Sequence, residues 1–375
     1  MVRTYTAGVN EQIMKHQFAP DKIFAHRARI KEWLRRGVSR PVTFELDITN
    51  RCNNNCPSCF GFHPSLDSAQ MRFADIKRIL RQIRGAGGKA VTFTGGGEPT
   101  VHPDISRALP FAKACGLDVA LITNGLKLDK ELAEAILSNC TWMRISLDSA
   151  SPGVFKATHG LGAAAFKHVL SNAAELVRLK RETGSSCTIG LGFLTSQGTA
   201  KDIIPFAALG RKLGADYAQY RPLLRRHGEP DIDYSSARII RNIALAEKRY
   251  ATSRYKVLNS VHKYLLIGSG ELGRNYSECY GHNFAAVICA DMKMYVCCHM
   301  RGVARYGIGD LKKNGLSEIW VSRGRAKTTG AIKFRDCPPL CRCDSFNRIL
   351  WDIKTGKRPG SEWPSGHNWQ HENFI

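Results

Sequence analysis

The sequence has no long apolar run and few acidic residues. No uninterrupted apolar stretch approaches the roughly 20 residues that a membrane-spanning helix needs. The first residues, MVRTYTAGVNEQ, lack the apolar core of a signal peptide. We therefore expect a cytoplasmic protein with no membrane partner. Internal repeats and low-complexity segments are also missing, and 43% hydrophobic residues in a 375-residue chain suffice for a sizeable core.

The shortage of acidic residues leaves a strongly basic chain. There are 32 Asp and Glu against 55 Lys and Arg, which gives a formal charge of +23. The excess is concentrated in residues 1–40, 219–256 and 321–358. One interpretation is a solvated surface that keeps the protein in solution. The other is an anionic substrate or partner, such as a nucleotide or a nucleic acid, although no aromatic-rich RNA-binding motif accompanies the charge.

Cysteine is abundant, and its positions are uneven. Ten of the 13 cysteines fall within residues 52–59 and 279–343. In a reducing compartment, clustered cysteines more often bind metal than form disulfides. The other three, Cys115, Cys140 and Cys187, stand singly in apolar segments, where we expect them to pack in the core.

Strand and helix patterns alternate through the first two thirds of the chain. Six strand-like segments, separated by five helical ones, are predicted at 42–48, 89–95, 118–125, 142–148, 186–194 and 217–223. This order predicts an α/β fold with parallel strands and right-handed crossovers. Six units are too few for a closed eight-unit barrel, so we expect a partial (β/α)6 barrel with its site at the carboxyl ends of the strands.

The pattern also predicts how the chain is divided. Residues 1–40 form a basic segment with a helix that ends near Gly37, and residues 41–256 form the partial barrel. Regular periodicity falls after residue 257 while Gly, Cys and Arg become frequent, so we expect a small cysteine-rich domain at 270–350. Residues 351–375 are a tail without clear regular structure.

The first cysteine group, CNNNCPSC, follows the first predicted strand. Cys52, Cys56 and Cys59 have the spacing C-x3-C-x2-C, and no fourth cysteine is near. Zinc usually takes four ligands, whereas three thiolates can hold three irons of a [4Fe–4S] cluster and leave the fourth iron open. The motif GGGEP follows the second strand. Together these motifs resemble the signature of radical S-adenosylmethionine (radical SAM) enzymes, in which the open iron binds S-adenosylmethionine.

The resemblance implies roles for individual residues. Cys52, Cys56 and Cys59 would hold the cluster. Other residues would face S-adenosylmethionine: Gly96, Gly97 and Glu98 at its methionine amine, Asn124 nearby, and Ser146 and Asp148 near the ribose. Two alternatives stay open, because Asn124 also fits an Asn-Gly turn, and Ser146 and Asp148 also fit a polar strand end. Ser58 stands where the family usually has an aromatic residue that contacts adenine.

The second cysteine group resembles auxiliary-cluster domains of the SPASM and twitch type. The resemblance rests on DMKMYVC, in which Met292 replaces the usual glycine, and on GLSEIW and CPPLCRC. It implies one auxiliary [4Fe–4S] cluster held by Cys279, Cys297 and two of Cys337, Cys341 and Cys343. A zinc ribbon is the alternative. Cys289 is expected in the core, and Cys298 can be a ligand, a hydrogen donor or neither.

The resemblance implies a radical reaction and leaves the substrate open. The enzyme would cleave S-adenosylmethionine to a 5′-deoxyadenosyl radical that abstracts a substrate hydrogen, with flavodoxin or ferredoxin as electron donor. The basic charge favours a nucleotide or a nucleic-acid base as substrate. The alternatives are epimerisation, oxidation or crosslinking of a peptide, or a sugar or aminoglycoside substrate. Only about 40 residues precede the first strand, so we expect no leader-binding domain. A non-enzymatic alternative is an Fe–S protein that binds nucleic acid.

Overall fold

The computed structural model describes residues 18–59, 67–224, 232, 237–364 and 369–375. Part of the predicted N-terminal helix, residues 11–17, lies outside these ranges. The remainder forms a 3-10 helix at Pro20–His26 and then an α-helix at Arg27–Arg36. Gly37 ends that helix in the left-handed conformation, with φ of 74°. The predicted stop is therefore confirmed.

One ten-stranded sheet runs through the protein. Its strands, in chain order, are β1 Thr43–Asp47, β2 Ala90–Thr94, β3 Asp118–Thr123, β4 Trp142–Ser146, β5 Thr188–Thr195, β6 Tyr217–Pro222, β7 Lys256–Asn259, β8 Ala285–Ile288, β9 Lys293–Tyr295 and β10 Gly307–Asp310.

The α-helices cover the sheet and the cysteine-rich region. In chain order they are α1 Arg27–Arg36, α2 Phe73–Gly85, α3 Ile105–Ala114, α4 Lys130–Asn139, α5 Pro152–His159, α6 Ala163–Thr183, α7 Ile203–Leu213, α8 Ala237–Tyr250, α9 Val261–Ser269, α10 Leu316–Val321, α11 Arg323–Gly330 and α12 Asp344–Lys354. No helix in the described ranges is both long enough and apolar enough to cross a bilayer.

The sheet is open, and its order explains where the two cysteine groups lie. The order is β10-β9-β8-β1-β2-β3-β4-β5-β6-β7, with β1 to β7 parallel to their neighbours. The predicted α/β partial barrel is confirmed, with a seventh parallel strand, β7, that the sequence pattern did not reveal. β8 pairs in parallel with β1, so the cysteine-rich region continues the same sheet and ends in the antiparallel strands β9 and β10.

Alternate residues of each strand face opposite sides of the sheet. Phe44 and Leu46 of β1 lie in the main core with the helices. Glu45 and Asp47 therefore face the inner side, which we call the lumen. Of the three single cysteines, Cys140 and Cys187 are buried in that core and Cys115 packs against it, so the predicted packing role is confirmed.

The last residues of the chain close the amino-terminal end of the parallel strands. The ring of Phe374 lies 5.4 Å from that of Trp142, the first residue of β4. Asn373 Nδ2 donates to Asp118 Oδ2 at 2.7 Å, at the start of β3. His371 Nε2 lies 3.1 Å from the hydroxyl of Thr188, at the start of β5. The tail thus crosses the end opposite to the predicted site.

Two buried residues near the N-terminus hold this tail. Lys22 Nζ donates to the carbonyl oxygens of His371, at 3.2 Å, and Phe374, and His26 Nε2 lies 3.1 Å from the carbonyl oxygen of Glu372. Burial lowers the pKa of Lys22 to about 7 and the pKa values of His26 and His371 to about 4. All three groups therefore favour the docked tail in their neutral forms.

We expect acid to release the tail. His26 and His371 have an unfolded pKa near 6.5 and a folded pKa of about 4, so their stabilising contribution is complete above pH 6.5 and falls as the pH drops toward 4. Each pKa unit is worth about 1.4 kcal/mol. Hydrogen exchange of residues 369–375, corrected for intrinsic rates, should show much less protection at pH 5 than at pH 7.5.

Matched variants identify the group that titrates. His26→Gln stays neutral and should keep part of the protection at pH 5. His168→Gln, which changes a histidine on α6 away from the tail, should leave the pH dependence as it is. Tail protection that does not change between pH 7.5 and pH 5 would contradict this account.

Candidate active site

The first cysteine loop leaves β1 and is fixed by the loop that follows β2. Asn50 N donates to Ala69 O at 2.8 Å, while Gly97 N donates to Thr49 O at 3.0 Å and Glu98 N to Arg51 O at 2.9 Å. The last two bonds hold the residues just before Cys52 against the GGGEP turn, and the first ties the loop to the segment before α2. The two motifs, at residues 52–59 and 95–99, therefore meet at the carboxyl ends of β1 and β2.

Gly97 is required by the closeness of this contact. A Cβ atom at Gly97 would lie 2.1 Å from the carbonyl oxygen of Arg51, which is shorter than any real contact. Only glycine lets the two backbones approach this far. Gly96 beside it is buried. The two predicted glycines thus lie at the seam between the motifs.

The three thiols lie close enough to influence one another. Burial raises the pKa of Cys56 to about 12, and the neighbouring Cys59 and Cys52 add to this shift. Burial also raises the pKa of Cys52, again with a contribution from Cys59. Three adjacent thiols cannot all ionise unless a cation compensates their charge. A cationic iron cluster supplies that compensation, so this donor set fits one.

Glu98 is buried, and both oxygens of its carboxylate accept hydrogen bonds from neighbouring residues. Oε1 accepts from the backbone N–H of Thr100 at 3.0 Å, from the Thr100 hydroxyl at 2.8 Å and from the Thr123 hydroxyl at 2.7 Å. Oε2 accepts from Asn124 N–H at 2.7 Å. Burial raises the pKa of Glu98, yet backbone donors face both oxygens, so the ionised form satisfies the site best.

Asn124 connects Glu98 to the cysteine loop. Its backbone N–H bonds Glu98, and its side-chain Nδ2 donates to Asn53 Oδ1 at 2.7 Å. Asn53 lies between Cys52 and Cys56. Asn124 Oδ1 also accepts from Leu126 N at 3.0 Å, which is the Asn-Gly turn that was the alternative. Asn124 therefore forms the turn and also contacts the loop.

Ser146 and Asp148 lie at the end of β4, beside a buried histidine. Asp148 has a φ of 51°, which is uncommon outside glycine, and its Oδ1 accepts from Leu194 N at 2.6 Å. His159 Nε2 lies 3.1 Å from Ser146 O and 3.9 Å from Asp148 Oδ2. Burial lowers the pKa of His159. Among the described residues, no backbone N–H donates to Oδ2 of Asp148.

Several residues of this site belong to none of the motifs that the sequence shows. Thr100, Thr123 and Asn53 contact the predicted residues directly. Gly160, which ends α5 with φ of 72°, packs so closely on the loop that a Cβ atom would lie 3.0 Å from Asn55 O. Threonine and asparagine are common near turns, so sequence patterns alone could not single them out.

The second cysteine group surrounds a cavity. All five predicted ligands line it: Cys279, Cys297, Cys337, Cys341 and Cys343. Burial raises the pKa of Cys279 and brings that of Cys341 to about 12. Cys289 and Cys298 are not among the described residues that line the cavity. The thiols fit a buried cationic cluster here for the same electrostatic reason as at the first site.

The turn that opens this region keeps its shape despite Met292. Met292 has a φ of 66°, a conformation that favours glycine. Its N–H donates to Cys289 O at 2.8 Å, and Arg78 Nη2 lies 3.5 Å from its sulfur. The side chain of Met292 thus adds a contact with Arg78 that a glycine could not make.

Buried ion pairs join the second region to β1. Arg301 Nε donates to Asp47 Oδ2 at 2.7 Å, and Arg301 Nη2 donates to Glu45 Oε2 at 2.5 Å. Arg342, which lies between Cys341 and Cys343, also pairs with Glu45. Within the described part of the chain, no three His, Cys, Asp or Glu side chains are arranged to hold a single metal ion.

Comparison with known proteins identifies both regions. Residues 46–198 match the radical SAM superfamily, and residues 279–344 match SPASM, an iron–sulfur cluster-binding domain. Mycofactocin maturase MftC of Mycobacterium ulcerans is 30% identical over 135 residues, which cover 36% of each chain. A probable GTP 3′,8-cyclase of Thermococcus kodakarensis is 30% identical over 172 residues, 45% of this chain and 54% of that one.

A solved structure shares the fold. SuiB of Streptococcus suis, bound to its precursor peptide SuiA, superposes with a TM-score of 0.65 at 17% identity, over 82% of this chain and 71% of SuiB. This similarity shows the architecture alone. The sequence matches span only about a third of MftC and about half of the cyclase.

Cysteine variants should show that the bound iron is divided between two sites. If each cysteine group holds one four-iron cluster, the reconstituted protein should contain about eight irons per chain. Cys52→Ser and Cys297→Ser should each lose about half of this iron, because each removes a ligand of a different cluster. Elemental analysis with electron paramagnetic resonance after reduction would measure both losses.

The controls are buried thiols outside the predicted ligand set. Cys289→Ser and Cys187→Ser should keep the full iron content. Among Cys337, Cys341 and Cys343, one serine variant should keep it as well, because only two of the three are expected to be ligands. Full iron content in Cys297→Ser would contradict an auxiliary cluster at this cavity.

Glu98→Gln should destabilise the site although it preserves shape. A glutamine amide nitrogen would face the backbone N–H of either Thr100 or Asn124, leaving two donors opposed in a buried position. An unsatisfied buried donor costs about 1–3 kcal/mol. Thermal unfolding should show a lower Tm for this variant. Glu134→Gln on the exposed face of α4 is the matched control, and equal Tm values for the two variants would refute the proposed role of the carboxylate.

Proposed function

We propose that this chain, which matches the radical SAM superfamily over residues 46–198 and SPASM over residues 279–344, removes a hydrogen atom from an anionic substrate after reductive cleavage of S-adenosylmethionine. The observation that carries this proposal is the hydrogen-bonded frame of the first site. Asn124 joins the cysteine loop at Asn53 to the carboxylate of Glu98. This frame places three thiols and one buried carboxylate at the carboxyl ends of adjacent strands.

The cysteines would hold two clusters in this proposal. Cys52, Cys56 and Cys59 would bind the cluster that takes S-adenosylmethionine, and Cys279 and Cys297, with two of Cys337, Cys341 and Cys343, would bind the auxiliary cluster. When bound and reduced, the first cluster would supply the electron for cleavage of the sulfonium C–S bond of S-adenosylmethionine, the chemistry that yields methionine and a hydrogen-abstracting radical.

The protein's own residues would orient the cofactor. Donors reach both oxygens of Glu98, and Oε2, which accepts one hydrogen bond from the described residues, keeps capacity to accept from the methionine ammonium. Gly96 and Gly97 would let the backbone approach it. Asp148 Oδ2 would accept from a ribose hydroxyl, and the Ser146 hydroxyl would donate to or accept from one. Asn124 would act through the loop, by fixing Asn53.

A nucleotide or nucleic-acid base is the first candidate substrate. The chain carries a formal charge of +23, which raises the local concentration of anions and speeds their encounter with the protein. The similarity to a GTP 3′,8-cyclase, named for a nucleotide substrate, supports the same class. A polynucleotide would bind with an affinity that falls steeply with salt, whereas a mononucleotide would depend on salt less.

A peptide-derived substrate is the second candidate. The similarity to MftC, which is named a maturase, favours it. Epimerisation, oxidation and crosslinking share the same first step, hydrogen abstraction. The final product depends on whether the substrate radical receives a hydrogen or gives up an electron, and an auxiliary cluster could accept that electron.

The decisive experiment is an anaerobic assay of the reconstituted protein. With dithionite as reductant, we expect 5′-deoxyadenosine to form from S-adenosylmethionine, and Cys56→Ala to abolish its formation because the cluster loses a ligand. Absence of 5′-deoxyadenosine from protein with both clusters in place would refute the enzyme and favour an Fe–S protein that only binds nucleic acid.

Isotope transfer would then identify the substrate class. Deuterated nucleotides and deuterated peptides are offered separately, and mass spectrometry of 5′-deoxyadenosine reports which one donates deuterium. Transfer from a nucleotide supports the first candidate, and transfer from a peptide replaces it with the second. DNA or RNA that binds equally well at low and high salt would remove the polynucleotide version.

A further inference from the structure

The lumen contains an arginine that reaches across a neighbouring strand. Arg144 lies on β4, and its side chain passes over Gly192 of β5, where a Cβ atom would lie 3.1 Å from Arg144 Cδ. Its Nη1 donates to Gln219 Oε1 on β6 at 2.7 Å. Arg144 is only 5% exposed, and its Nε has no hydrogen-bond partner among the described residues. A charged group is therefore buried against a neutral amide.

A second arginine lies on the same side of β6. Arg221 follows Gln219 by two residues, so both side chains face the lumen. Its Nε is buried without a hydrogen-bond partner in the described part of the chain. The nearby charge of Asp148 raises the pKa of Arg221 in part, but burial has the larger effect and lowers it. Asp148 instead bonds Leu194 N and faces His159.

A lysine on α9 completes the group. Lys263 is 7% exposed, and none of the described residues accepts a hydrogen bond from its Nζ. The helix is placed by Tyr264, whose hydroxyl lies 2.7 Å from that of Thr195 at the end of β5, and by Ser260 N, which donates to Tyr220 O of β6 at 3.3 Å. Lys263 thus lies near the carboxyl ends of β5 and β6.

Within the described ranges these three residues have no ion-pair partner, unlike the neighbouring arginines. Arg301 and Arg342 also lie inside the protein, and both pair with carboxylates of β1. No carboxylate among the described residues forms an ion pair with Arg144, Arg221 or Lys263. Buried cations without a counter-ion are costly. Burial lowers the pKa of Arg144 to about 9 and that of Lys263 to about 8, which shows how strongly the interior disfavours their charge.

The three cationic side chains lie between the two cysteine sites. Arg144 stands two residues before Ser146, next to the predicted cofactor residues on β4. At the other end, Cys341 of the second group is close enough to raise the pKa of Lys263, while Arg221 lowers it. A ligand held by all three residues would therefore lie between the candidate cofactor site and the second cavity.

We propose that Arg144, Arg221 and Lys263, the interior cation triad, bind an oxyanion of the substrate, either a carboxylate or a phosphate, and hold the substrate between the two cysteine sites. This inference rests on the proposed function, because it assigns the triad to the substrate of that reaction. Two guanidinium groups and one ammonium group offer the charge-assisted donors that such an oxyanion requires.

The test measures anion binding to the reconstituted holoprotein with S-adenosylmethionine saturating. Isothermal titration calorimetry with inorganic phosphate and, separately, with acetate should show one site per chain for at least one probe. Phosphate binding would identify a phosphorylated substrate, and acetate binding a carboxylate. Arg221→Gln and Lys263→Met should each weaken binding by at least tenfold. Lys212→Met and Arg249→Gln, which remove exposed cations of α7 and α8, should leave it unchanged.

Further measurements separate this inference from its alternatives. Lys263→Arg should retain binding, and an unchanged Tm and iron content in the Arg221 and Lys263 variants would show that lost binding is not lost folding. No binding of either probe, equal binding in triad and control variants, or displacement of the probe by S-adenosylmethionine would overturn the proposal. The last result would assign the triad to the methionine carboxylate. Formation of 5′-deoxyadenosine, assayed in the same samples, tests the proposed function independently.

Discussion

The buried carboxylate of Glu45 joins the parts of this protein that the proposed reaction needs. It lies on the lumen side of β1 and pairs with Arg301 and Arg342, both from the second cysteine region. Arg342 also donates to the carbonyl oxygen of Ile375 at 2.9 Å. Removing one partner of a buried ion pair costs about 3–5 kcal/mol. The first strand, the second cavity and the C-terminal tail are therefore energetically linked through one side chain.

The first site depends in a similar way on a buried acid with several donors. Glu98 accepts bonds from residues on two loops, and Asn124 extends this set to the cysteine loop. The loop is thus held by hydrogen bonds from residues of the protein itself. A ligand that binds an ordered loop loses less conformational entropy than one that must organise it. The bond between the side chains of Asn124 and Asn53 is the direct connection to the cysteine loop.

The sequence pattern predicted the repetitive parts of this arrangement and missed those that depend on distant contacts. Alternating apolar residues and thiol spacing are local features, so six of the parallel strands, the first cysteine loop and the five cysteines around the second cavity could be anticipated. β7 has only four residues, and Asn53 and Thr123 matter through partners 71 and 25 residues away. The tail closes the sheet through side chains such as Asn373, which bonds a residue 255 positions earlier. No local pattern encodes such pairs.

The charge that decides substrate binding is expected to lie in the lumen rather than on the surface. Surface charges act over about 8–10 Å at physiological salt and mainly raise the encounter rate. Arg144 and Lys263 are 5% and 7% exposed, so salt screens them little. Gly192 leaves the space through which Arg144 crosses β5, and a larger residue there would displace the guanidinium. A lumen of this kind selects for one anionic group that can enter it, which favours a small anion or the end of a longer chain over the continuous backbone of a polyanion.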